Sequence, residues 1–326
     1  MTRSAHLAHF AGVALLASTA ACSSAPNRLD HREMASVAMS TQMAYEVWTP
    51  KDFDAEAEQL PMMVFLHGGG DDENAFDEFS VGQHLDAALA AGDIPRAVVV
   101  VPQGDMGFWE NWYDGSKHYR DWVVQEVIPD VQARYHTQKC PEGCHVAGVS
   151  MGGHGTMRMM WFHPELFASA ASLSGPILST EAILDFTDRL FVKLFIPVDD
   201  IWGPTDDRRK LEESDLFVQW NKQQDLKGVR LMLGVATDDR EELIDLNRKF
   251  HSHLSRSHID HEYIEFPGEH KWVSWTPVID KVLRFAIWGT MDATQPASEE
   301  AHADASPEPA LRSSGEAPAD RVSAAD

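Results

Sequence analysis

Ser150 stands in Gly148-Val149-Ser150-Met151-Gly152, a Gly-x-Ser-x-Gly spacing that follows the apolar run His145-Val146-Ala147. Behind it, Met157, Met160 and Trp161 recur at helical spacing, so the serine is expected where a strand turns sharply into a helix. Glycines at 148 and 152 leave room for such a turn, and the start of the helix favours negative charge beside the hydroxyl. A serine hydroxyl is a weak nucleophile until a base takes its proton, and the base must itself be oriented by a third group. His270, in Pro267-Gly268-Glu269-His270-Lys271-Trp272, is the expected base. Between the two lie the carboxylates Asp238, Asp239 and Glu241, just beyond an apolar run over residues 229–235. A carboxylate there can orient a histidine, but acids are also favoured at helix starts by the dipole, so the three remain open at this point. His154 lies near Ser150 in sequence but on the following helix turn, a poorer position for a base.

These residues need elements to hold them. The continuous apolar runs over residues 61–66 and 97–101 read as buried strands, and residues 262–266 alternate like a last strand. Residues 43–50 suggest a strand near the sheet edge. Helices are expected over 77–91, 121–135 and from Pro277 to a C-cap at Gly289. Strands alternating with helices imply a mostly parallel central sheet with helices on both faces. The first buried strand runs into His67-Gly68-Gly69-Gly70, glycines that free the backbone to turn N–H groups inward. Residues 104–116 form a loop carrying Phe108, Trp109, Trp112 and Tyr113, suited equally to core packing and to a ligand wall. Residues 177–227 read as a small helical cap insertion.

The chain has 326 residues, 44% of them hydrophobic, and a formal net charge of −24. That is ample for one large domain, assigned to residues 43–290, and the charge argues against nucleic acid, whose phosphates need clustered Lys and Arg. Residues 1–22 carry Arg3, a short apolar stretch and Ala20-Ala21-Cys22, which reads as a bacterial lipoprotein-type signal with Cys22 lipidated, although Thr19 stands where leucine is commonest. The expected location is outside a bacterial cytoplasm, periplasmic or at the cell surface, with the lipid as the membrane anchor. Residues 23–42 read as a linker, and 291–326, rich in Ala, Ser, Pro, Glu and Asp, as a disordered tail. Cys140 and Cys144 could close a small disulfide in an exported protein. No further ligands stand at zinc-site spacing around them. His251, His253, His258 and His261 read as a solvated helix face and a following strand, so no metal is expected.

Serine first, an acid next and histidine last is the chain order of the α/β-hydrolase triad. The elbow at Ser150, the Thr237-Asp238-Asp239 segment, the helix through Asn247-Arg248-Lys249-Phe250-His251, and Gly268-Glu269-His270-Lys271-Trp272 with Trp275 resemble the esterase family of α/β-hydrolases. That family takes in tributyrin esterases, S-formylglutathione hydrolases, carbohydrate esterase family 1 feruloyl and acetylxylan esterases, and the antigen 85 mycolyltransferases. The resemblance covers roughly residues 47–288. It implies an α/β-hydrolase fold without cofactor, Asp239 as the acid ahead of Asp238 and Glu241, and oxyanion donors at the Met151 and Gly69 N–H groups. By the same resemblance the substrate is a small-molecule or glycan-linked ester. Acyl transfer to a sugar or lipid, and a non-catalytic surface protein that keeps the scaffold for binding, stand beside hydrolysis as the other readings.

Overall fold

A computed structural model describes residues 29–293, apart from 190–191, 193–195, 222–225 and 227. The expected signal with Cys22, and all but the first three residues of the expected tail, lie outside the described residues. The centre is an eight-stranded sheet in the order β1-β2-β4-β3-β5-β6-β7-β8. Its strands are β1 (Asp30–Ser36), β2 (Thr41–Trp48), β3 (Met62–Leu66), β4 (Val98–Pro102), β5 (Cys144–Val149), β6 (Ser169–Leu173), β7 (Arg230–Ala236) and β8 (Glu262–Phe266). β1 and β2 run antiparallel to their neighbours, and the other pairings are parallel.

Register is what builds the site. Leu66 pairs with Gly148, Val149 with Leu173, Leu173 with Gly234, and Ala236 with Phe266. The carboxyl ends of β3, β5, β6, β7 and β8 therefore finish along one edge, where ligand sites form in open α/β sheets.

The buried strands are apolar on both faces because both are covered. Val64, Val98 and Val100 point into one core with Trp122, Val127, Met157 and Phe250. Met63, Val99 and Val101 point into the other with Leu85, Trp275 and Ile279. The helices supplying those faces are α1 (Ala75–Glu78), α2 (Val81–Ala91), α3 (α-helical over Tyr119–Asp121, a wide π turn over Trp122–Val127, then α-helical over Ile128–Tyr135) and α4 (Met151–Phe162). The cap holds α5 (Thr180–Asp188), α6 (Val198–Trp202), α7 (Arg208–Ser214) and α8 (Leu216–Gln219); α9 (Glu241–Arg256) and α10 (Trp272–Leu283, continued by Arg284–Trp288) close the order.

Three boundaries differ from the expectation. The middle of the expected linker is β1, paired along its whole length with β2, so the strand expected near the sheet edge over 43–50 is β2, one place in from the edge, and it begins already at Thr41. β1 exposes most of its side chains, which is why it carries so little apolar signal. The expected helix over 77–91 is two helices, because Ser80 adopts a left-handed backbone between them. The last helix starts five residues before Pro277, which sits inside it; Val273, one turn back, is exposed, so its carbonyl can bond water in place of the missing N–H. The Cys140 and Cys144 sulfurs are joined at 2.02 Å, tying the turn before β5 to its first residue.

Candidate active site

Ser150 sits between β5 and α4 with φ 53° and ψ −121°, a conformation side chains rarely adopt. Its N–H donates to the Leu173 carbonyl at 2.8 Å, and its own carbonyl accepts from the Gly153 and His154 N–H groups. The flanking glycines are dictated by contact: a Cβ on Gly152 would fall 1.9 Å from the Leu66 oxygen, and one on Gly148 would fall 2.5 Å from the Gly152 carbonyl. Only hydrogen at both positions lets β5, α4 and β3 approach so closely.

His270 hangs from the loop after β8, with Nε2 2.8 Å from Ser150 Oγ and Nδ1 2.8 Å from Asp239 Oδ1. With an ionised carboxylate at Nδ1, that nitrogen carries the proton and Nε2 is free to accept one from the serine. Trp275 meets the imidazole edge-on at 4.8 Å and donates its indole N–H to Ser174 Oγ at 3.2 Å, which fixes the plane of the histidine. Two backbone bonds tie the acid loop to the histidine strand and loop: Thr237 N–H to the Phe266 carbonyl and Asp238 N–H to the Gly268 carbonyl.

That tie also sorts the three candidate acids. Asp239 turns its carboxylate inward, with its side chain fully buried against His270, and accepts from the Arg240 N–H at 2.7 Å. Burial pushes its pKa up, but bonds from His270 and Ser174 outweigh it and hold the group below its ordinary value. Asp238 is exposed and bonded to the Thr237 hydroxyl, and Glu241 is exposed in the first turn of α9. Neither reaches the imidazole. His154 is fully buried on α4, its Nδ1 bonded to the Pro176 carbonyl and its Nε2 3.5 Å from Glu110.

The glycine loop after β3 packs on the elbow. A Cβ on Gly68 would lie 3.4 Å from the Ser150 Cβ, and one on Gly69 3.8 Å from the Met151 Cβ. Met151 opens α4, so its N–H belongs to the first turn, whose donors have no partner within the helix. His67 anchors this loop: Gly104 N–H donates to its Nε2 at 3.0 Å, which leaves Nδ1–H to donate to the Gly68 carbonyl at 2.8 Å. Burial lowers its pKa to about 4, so the ring stays neutral in this tautomer.

Ser150, His270, Gly69 and Met151 all face one cavity of about 950 Å³. Its deep wall is apolar, from Met106 and Phe108 of the aromatic loop and from Leu178, Phe186 and Ile196 of the cap; its rim carries Arg189, Arg240, Glu242, Asp245, Lys249 and Lys271. The aromatic loop thus serves both purposes open to it, since Trp109 is wholly buried while Phe108 lines the cavity. Consecutive left-handed residues, Phe108 at φ 54° and Trp109 at φ 59°, cost about 1 kcal/mol or more each and need surroundings that enforce them.

Those surroundings are a buried network with no local sequence motif. Glu110 follows the strained pair and is forked by the Arg158 guanidinium of α4, with Arg120 at 3.4 Å and His154 at 3.5 Å. Burial pushes the Glu110 carboxyl up, but the Arg158 guanidinium, with His154 beside it, outweighs this and holds the group below its ordinary value. Arg158 also donates to Gln219 Oε1 at 2.6 Å, so one guanidinium joins α4, the aromatic loop and the cap.

The strand order, the strand-end site and the strained serine elbow define an α/β-hydrolase fold. Residues 36–286 match the family model described as "Putative esterase", and the chain belongs to that family. An esterase of Mycobacterium tuberculosis is 25% identical over 241 residues, which cover 69% of this chain and 51% of the relative. The MPT51/MPB51 antigen of the same organism is 26% identical over 240 residues, 66% of this chain and 78% of the antigen. Among solved structures, the substrate-bound fluorophosphonate-binding serine hydrolase F of Staphylococcus aureus superimposes with a TM-score of 0.67 at 21% identity, covering 79% of this chain and 98% of that one. The chain spans about half the length of the curated esterase it matches.

Proposed function

We propose that this protein is a serine esterase that hydrolyses carboxylic esters through an acyl-enzyme on Ser150. The observation that carries this reading is the unbroken relay from Ser150 Oγ to His270 Nε2 and from His270 Nδ1 to Asp239, each link 2.8 Å. As Oγ bonds to the ester carbonyl carbon, its proton passes to Nε2 and the carbonyl oxygen becomes an oxyanion within reach of the Met151 and Gly69 N–H groups. Collapse breaks the bond to the alcohol oxygen, which leaves with the proton from Nε2. Water then repeats the sequence and releases the acid. Asp239 holds the imidazole in its tautomer and stabilises the imidazolium without taking its proton.

The substrate class is a small-molecule or glycan-linked ester with an apolar acyl half, which the Met106, Phe108, Leu178, Phe186 and Ile196 wall suits. Export to the periplasm or cell surface, with a lipid on Cys22 as anchor, is supported by the apolar stretch and small residues before that cysteine, and the Cys140–Cys144 bond suits an oxidising compartment. Release of a Cys22→Ser variant from the membrane fraction tests the anchor; a mature N-terminus elsewhere than residue 22 contradicts it. The activity itself is tested with 4-nitrophenyl butyrate: the wild type turns over, and Ser150→Ala loses several powers of ten in kcat. Adding alcohol acceptors to the same assay separates hydrolysis from acyl transfer, because a transferase forms new ester at the expense of free acid.

A further inference from the structure

Phe108 lies against the cap on one side and the reaction cavity on the other. Its ring meets Trp202 edge-on at 4.8 Å, Phe186 at 5.8 Å and His154 at 6.0 Å, and it is 4% exposed. The backbone that follows it is pinned. Trp109 is clamped where a Cβ on Gly104 or Gly155 would fall 2.3 or 2.5 Å from its indole, and its Nε1 donates to the His67 carbonyl at 3.4 Å. Glu110 is clamped by the Arg158 fork. A ring held in a left-handed conformation, with the two residues that follow it anchored, cannot swing aside for a longer ligand.

The direction of the ligand follows from the reaction. Once the acyl-enzyme forms, the alcohol must leave and water must enter by the path the alcohol vacates, while the acyl group stays on Ser150. The charged rim is open to that exchange. The acyl group is left with the apolar wall of Met106, Phe108, Leu178, Phe186 and Ile196. We propose that Phe108 is the end stop of the acyl site, setting how long an aliphatic acyl chain the enzyme accepts, and that Glu110, through Arg158, is the positioning residue that keeps the stop in place. This rests on the acyl-enzyme reading above.

The test is a series of 4-nitrophenyl esters from acetate to decanoate, assayed on the wild type, Phe108→Ala, Phe108→Trp and Glu110→Gln, with active sites counted by fluorophosphonate. Shortening the side chain moves the kcat/KM optimum to longer chains and raises the decanoate-to-butyrate ratio about tenfold or more, while Trp moves the optimum to shorter chains. Glu110→Gln flattens the profile at the long end without shifting its short end, chiefly through KM. Opposite shifts from Ala and Trp are something a general loss of folding does not produce. If the fluorophosphonate-reactive fraction is normal and the profile keeps its shape in both Phe108 variants, the end stop is wrong. If Ser150→Ala hydrolyses the esters normally, the acyl-enzyme reading is what has failed.

Discussion

Asp239 and Asp238 are adjacent acids with opposite surroundings, and their roles follow from which way the chain turns. The Asp238 N–H is engaged with the Gly268 carbonyl, which presents the next side chain to the histidine and leaves Asp238 in solvent. Asp239→Asn therefore costs on the order of 10⁴ in turnover by favouring the wrong tautomer, as in another serine hydrolase, whereas Asp238→Asn and Glu241→Gln stay near wild-type kcat. Steady-state kinetics on folded variants, checked by near-UV circular dichroism, decides it; loss of activity in Glu241→Gln with a healthy Asp239→Asn would reverse the assignment. Ser150 and His270 were legible because each sits in a local pattern at a strand end. The acid was legible only as a choice among three, since alternation along a loop does not say which side chain a backbone bond turns inward. Glu110 and Arg158, 48 residues apart, left no sequence signal, because the pairing exists only once the aromatic loop has crossed over the nucleophile helix.

Element boundaries were legible where burial is two-sided and obscure where it is not. β3, β4 and β5 are wholly buried and announce themselves as apolar runs, but β1 reads Asp-His-Arg-Glu-Met-Ala-Ser and looks like linker, because an edge strand needs only one covered face. The elbow is the reverse case, in which one glycine hydrogen decides how two elements meet. Gly152→Ala places a methyl group 1.9 Å from the Leu66 oxygen, and neither backbone can give way without parting β3 from α4. The expected loss is about 3 kcal/mol or more of unfolding free energy by urea titration, with activity falling in parallel. A variant within 0.5 kcal/mol, by the same rough scale, would mean that the close packing at the elbow is not required.

At the scale of the whole molecule, the acidic balance reaches the interior at Glu46 on β2. Its side chain is 2% exposed and faces a group of acids, and burial, followed by Asp77, Glu73 and Asp72, raises its pKa from 4.5 to about 7. A raised carboxyl holds its proton in the folded state after the unfolded chain has released it. Its stabilising contribution is therefore complete below pH 4.5 and is lost as the pH rises toward about 7. Glu46→Gln carries no such charge, so its melting temperature at pH 8 should rise by about 2–4 °C, the response of a chain this size to about 1 kcal/mol, with little change near pH 5. Thermal melts across that range check the slope, and a parallel decline in both proteins would remove Glu46 as its source.

Whether Ser150 carries the acyl group is read out by a rapid acid quench followed by mass spectrometry. Incubation with a slowly deacylated 4-nitrophenyl ester, followed by peptide mapping, should find the acyl mass on the tryptic peptide containing Ser150, at up to one equivalent per protein and matched by a burst of 4-nitrophenolate. The adduct should be absent from Ser150→Ala. An adduct on another residue, or a burst that survives Ser150→Ala, would contradict the account.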